Sequence, residues 1–163
     1  MHLGYFTRTR YSGKFLAAVM LAMFVCGLAP ATVTRTGGAL DEWDEVFNTA
    51  RAVLAKLPDP ARIEATIKDA ALREAALRAY RAIKACAKVN KGQSLSQKRA
   101  FVAEFDSAFK AVQTEVGKTE HRDCAAACVN DGSKCETDCQ DAKKKVCGCK
   151  MIQFGCVMKC LFP

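Results

Sequence analysis

Ten cysteines are spread very unevenly along this 163-residue chain. Eight of them, Cys124, Cys128, Cys135, Cys139, Cys147, Cys149, Cys156 and Cys160, fall within the last forty residues. So dense a set of thiols has two physical outcomes. In an oxidising compartment it closes into a covalent frame, and in a reducing one its thiolates serve metal or redox chemistry. The compartment therefore decides the chemistry, and the N-terminus bears on the compartment.

Residues 1–14 carry Arg8, Arg10 and Lys14 without an acid, and the first acid of the chain is Asp41. An unbroken apolar run from Phe15 to Ala29 follows. It is shorter than the roughly 20 residues that cross a bilayer as a helix, and it suits the apolar region of an export signal. Ala29-Pro30-Ala31 offers small residues at both cleavage-determining positions. Residues 1–31 thus read as a cleaved signal peptide, and the protein as secreted or periplasmic. An organelle transit peptide would be amphipathic where this run is continuous. Cys26 leaves with the signal.

With the three signal-peptide cations set aside, 22 Lys and Arg face 17 Asp and Glu, a net charge of about +5. Such a mild excess favours weak attraction to anionic surfaces. It lacks the clustered basic stripe of a nucleic-acid binder, so nucleic acid is not an expected partner.

The remaining chain divides by pattern. Residues 32–40 read as a mobile polar leader, and residues 41–118 as a helical bundle. Asp41 is a plausible cap for a first helix, in which Trp43, Val46, Phe47, Ala50, Val53, Leu54 and Leu57 recur at three- and four-residue steps. Pro58-Asp59-Pro60 ends that helix and starts a second, read as continuous from there to about Val89, with Leu72, Ala76, Ala79, Ile83 and Cys86 on one face. Ser94 and Gln97 form a capping box for a third, with Val102, Phe105, Phe109, Val112 and Val116 as its stripe. Three such stripes predict a small antiparallel three-helix bundle in an all-α protein.

Residues 119–163 read as a disulfide-stapled helical hairpin with a cysteine-rich tail. Cys124 and Cys128 share a helix face, as do Cys135 and Cys139, and Asn130-Asp131-Gly132 between them is a turn signal. Antiparallel geometry about that turn predicts Cys128–Cys135 and Cys124–Cys139. Cys147, Cys149, Cys156 and Cys160 would then pair among themselves. Eight cysteines allow on the order of a hundred connectivities.

Three spacing resemblances attach to these residues. Cys124, Cys128, Cys135 and Cys139 resemble the two C-x3-C pairs of plant alpha-hairpinins, with a shorter stretch between the pairs. Cys135/Cys139 with Cys156/Cys160 is similar to the twin C-x3-C of small mitochondrial intermembrane-space chaperones, which lack an apolar export signal and Cys147-Gly148-Cys149. Cys135/Cys139 with Cys147/Cys149 resembles the defensin-type fold, which needs a further cysteine between them. Each covers at most the cysteine segment, and none assigns a family.

Little else in the chain suggests turnover. Once the signal is removed, His121 is the single histidine, three residues before Cys124, and no glycine-rich phosphate loop or other cofactor signature is present. Thiolate binding of Cu(I) or zinc is the serious chemical alternative if the cysteines stay reduced. Cys86 is the odd thiol left after signal removal: a small buried hydrophobe, a bond to the tail, or a disulfide link between two chains. Lys143-Lys144-Lys145, ahead of the apolar Met151, Ile152, Phe154, Val157, Met158, Leu161 and Phe162, offers a cationic-apolar surface, or else an apolar face packed on the bundle with a solvated lysine rim. The expectation is a secreted non-enzymatic protein that binds a partner protein or an anionic membrane surface, with no resident metal or cofactor. The competing reading is a precursor that releases residues 119–163 as an antimicrobial or toxin peptide.

Overall fold

The structure, a computed structural model, describes residues 37–162. The expected signal peptide and residues 32–36 of the expected leader lie outside the described residues. The described chain is helical throughout, with six helices and no strand.

Helix α1, Gly37–Leu54, begins ahead of the expected cap at Asp41. It buries Trp43, Val46, Phe47 and Ala50, with Val53, Leu54 and Leu57 partly buried beside them. The expected second helix is two. Asp59 caps α2, Pro60–Thr66, by accepting from the Arg62 amide at 2.9 Å, and Pro60 opens it. Ile67 then turns to extended backbone, and Asp69 caps α3, Ala70–Ala87, by accepting from the Leu72 amide at 2.7 Å. A second Asp cap restarts the helix after the break, and both Ile63 and Ile67 are buried in the core. Arg73 donates to the Ile67 carbonyl at 3.1 Å, so the freed backbone group keeps a partner.

Helix α3 packs along α4, Leu95–Val116, as the main helix pair of the molecule. Ala75, Ala76, Ala79 and Ala82 are buried on α3, and their small side chains let the two helices approach closely. The Ser94–Gln97 capping box is present in both directions. The loop before it is tied to α1 by Arg51, whose guanidinium donates to the Ala87 carbonyl at 2.9 Å and to the Val89 carbonyl at 2.6 Å. A cation there satisfies carbonyls that the end of α3 leaves open and complements its dipole.

Helix α5 spans Arg122–Asp141 without interruption. The expected turn at Asn130-Asp131-Gly132 is therefore helix interior. Gly132 serves packing: a Cβ there would overlap the side chain of Gln153 on α6, Cys149–Leu161. The chain reverses instead at Ala142–Gly148. Lys143 takes the left-handed conformation at φ 54°, with its amide donating to the Gln140 carbonyl at 2.8 Å and the Lys144 amide to the Cys139 carbonyl at 3.1 Å. This is a Schellman termination with lysine where glycine is usual.

Helix α6 buries Met151, Phe154, Val157, Met158 and Leu161. Phe154 meets Phe105 and Phe109 of α4 edge-on, at ring centroid distances of 5.7 Å each. Gly148 sits so close to α1 that a Cβ would come within 2.8 Å of the Thr49 side chain.

Two stability predictions follow from this packing. Phe154→Ala should lower unfolding stability by about 3–5 kcal/mol, measured by urea unfolding without reductant. Lys143→Gly should raise it by roughly 1 kcal/mol, because glycine meets no Cβ penalty at positive φ.

Candidate binding groove and disulfide ladder

The eight clustered cysteines form four bridges between α5 and α6 and the turn joining them: Cys124–Cys160, Cys128–Cys156, Cys135–Cys149 and Cys139–Cys147. Their Cα–Cα distances, 5.9, 5.6, 5.7 and 6.4 Å, are those of ordinary bridges. The expected Cys128–Cys135 and Cys124–Cys139 pairs are not formed. All four cysteines of the supposed hairpin lie on one helix, and residues on one straight helix face cannot bridge each other across a turn that does not exist. The bridges are nested, as expected, but about the turn after Asp141.

The sequence holds a signal for this arrangement. Cysteines on α5 are spaced four, seven and four, and those on α6 seven and four. At about 100° per residue, each set stays within roughly 60° of one face. The apolar residues of α6 lie on the opposite side, against α1 and α4. Because the bridges are nested, each outer one closes a loop already shortened by the next inner one. Their contributions therefore add to less than four independent bridges at about 2–4 kcal/mol each.

Cys86 is the one unbridged cysteine among the described residues, and it is fully buried. Its Sγ donates to the Phe101 carbonyl at 3.4 Å. Burial, and then the nearby Asp106 carboxylate, push the thiol from 9.0 up to about 12. An inter-chain disulfide at Cys86 would require α3 and α4 to open. Cys124 is bridged, so His121, at the cap position of α5 and 3.7 Å from Glu120, has no thiolate there to pair with.

The lysine run is partly tied to α1. Lys144 Nζ pairs with Glu45 at 2.7 Å, and the Lys145 amide donates to Glu42 at 3.1 Å. Lys150, just beyond, pairs with Asp106 of α4 at 2.8 Å. These contacts fasten the hairpin turn to the earlier helices at several points, each worth little alone because the groups are exposed.

Two of the grooves beside α6 differ in charge. One, of about 460 Å³, lies between α4, α5 and α6; it includes Asp106, Glu136, Lys110 and Lys150 and is mixed in charge. The other, of about 400 Å³, lies between α1 and α6. Val53, Leu57, Ile152 and Gly155 give it an apolar lining, Lys56 and Lys159 stand at its edge, and no acid lines it. Ile152 is 51% exposed, the most exposed large hydrophobic side chain among the described residues. By sequence Ile152 belongs with the tail's other apolar residues. Only the docking of α6 on α1 separates it from those that enter the core. Among the described residues, no three His, Cys, Asp or Glu side chains converge as a metal site needs, and no helix is long and apolar enough to cross a membrane.

No protein family, curated protein or solved structure matches this chain.

The Cys86 thiol sets a pH prediction. Its folded-state pKa lies above the unfolded value, so the stability it contributes is complete below about pH 9 and is lost as pH rises toward 12. Relative to Cys86→Ala, the wild-type chain should lose stability across that window, measured by urea unfolding without reductant. At pH 8 the native thiol should resist maleimide until urea opens the α3–α4 pair.

Proposed function

We propose that the protein is an extracytoplasmic binding protein that presents a rigid surface to a partner and performs no turnover. The observation that carries this reading is the four-bridge ladder. Bridges of this density belong to oxidising compartments. They also remove eight thiols from metal or redox service and hold α6, with its flanking grooves, in one register. In this reading the three long helices before residue 118, α1, α3 and α4, act as a bundle on which the stapled hairpin is mounted.

The same geometry weighs the alternatives. Phe154 packs on Phe105 and Phe109, and Met151, Val157, Met158 and Leu161 are buried. Releasing residues 119–163 as a peptide would expose both halves of that core, which favours one unit over a precursor. The tail's apolar residues are largely used in the core, and Lys144 is engaged by Glu45. What remains supports a discrete partner, a protein or an anionic ligand, over a broad membrane-binding face.

Two measurements on chain recovered from the extracytoplasmic fraction test this. Alkylation under denaturing, non-reducing conditions should find one thiol on a single species beginning near Thr32. Several thiols, or cleavage near residue 118, would overturn the reading. Native mass spectrometry should show an added mass in fixed stoichiometry that is lost on denaturation, and a chain that is always bare would count against binding.

A further inference from the structure

We infer that the groove between α1 and α6 is a binding site for a single-chain amphiphilic anion, a fatty carboxylate lying with its acyl chain along Ile152 and Val53 and its headgroup between Lys56 and Lys159. The inference rests on the binding reading above and adds the site and the ligand class.

Helices α1 and α6 run in the same direction. Contacts advance together along both, from Lys144 with Glu45 through Gly148 with Thr49 to Gly155 with Val53. Lys56 and Lys159 therefore lie at the same, downstream end of the groove, and Thr49 and Ile152 toward the other. The site is polarised: an apolar channel with two cations at one mouth and no acid in its lining. Neither lysine forms an ion pair with a described residue, whereas Lys144 and Lys150 do. An occupant with one negative end and one apolar tail meets this pattern, and its charge neutralises two cations that pair with no described carboxylate.

Size and shape agree. A groove of about 400 Å³ falls in the range of small-ligand sites. The stretch from Thr49 on α1 to Leu57, just past its end, is on the order of 12 Å long, which suits one medium-length acyl chain. Gly155 lets Val53 approach α6 closely along the groove: a Cβ there would come within 3.0 Å of the Val53 side chain. The site is concave, and Ile152 alone among the large apolar residues of α6 is exposed, so it fits a single chain better than a bilayer surface. The groove beside α4 lacks this polarity, because Lys150 is neutralised by Asp106 and Glu136 lies among its lining.

Isothermal titration with dodecanoate below its micellar concentration should show one site on the full secreted chain. Amide shifts in NMR should be confined to residues 49–57 and 152–159. Dodecyltrimethylammonium, with the same tail and opposite charge, should bind at least tenfold more weakly. The double variant Lys56→Glu/Lys159→Glu, at exposed positions, should lose at least tenfold in dodecanoate affinity with its helix content unchanged. Ile152→Ser should weaken binding of the tail. Equal affinity for the two amphiphiles, shifts elsewhere, indifference to the charge reversal or no dodecanoate binding would each overturn the site. If dodecanoate fails while the native chain still carries a stoichiometric partner, the ligand assignment falls and the binding reading stands.

Discussion

Three disulfides set the register of α5 on α6, a fourth closes the turn between them, and the position of Phe154 follows from that register. The cysteines occupy one face of α6 and the apolar residues the other, so bridging α6 to α5 turns Met151, Phe154, Val157 and Met158 toward α1 and α4. Phe154 then reaches Phe105 and Phe109, and the covalent half of the molecule gains an apolar anchor in the non-covalent half. Neither half explains the other alone. The ladder restricts the unfolded chain, while the aromatic contact decides where the ladder sits.

The earlier helices follow a different logic. The α3–α4 pair is held by small side chains at close range and by caps that satisfy helix ends, including a guanidinium from α1 on the last carbonyls of α3. Cys86 belongs to this pair: it fills space between the two helices, and burial keeps it protonated. One chain therefore holds nine described cysteines with two physical roles. Eight are structural covalent links, and the ninth is a small hydrophobe with a weak donor.

The proposed function rests on what this frame leaves outside. Most apolar residues of α6 enter the core, and Lys144 and Lys150 meet carboxylates. Ile152, Lys56 and Lys159 do neither, and the frame holds all three at one groove. A rigid scaffold with a preformed and electrically polarised groove is economical for binding, since little conformational entropy remains to be lost on association.

How much of this was legible in the residues varies with the range of the interaction. The apolar stripes of α1, α3 and α4, the Asp59 cap with Pro60, and the Ser94–Gln97 box are local patterns, and they appear where the sequence places them. The break at Ile67-Lys68-Asp69 is a second local cap, masked in the sequence by alanine-rich segments on both sides that favour helix. The hairpin was misplaced for a physical reason. Asn130-Asp131-Gly132 has turn chemistry, yet Gly132 is there to admit Gln153, and the true reversal puts a lysine in the left-handed conformation. By itself, then, the sequence determined the helical class, the local caps and the faces on which cysteines and apolar residues lie, because periodicity and capping act over a few residues. Only the tertiary structure decided which cysteines pair, because that depends on where the chain reverses between α5 and α6, and which side chains frame a groove, because that depends on contact between α1 and α6, far apart in the chain.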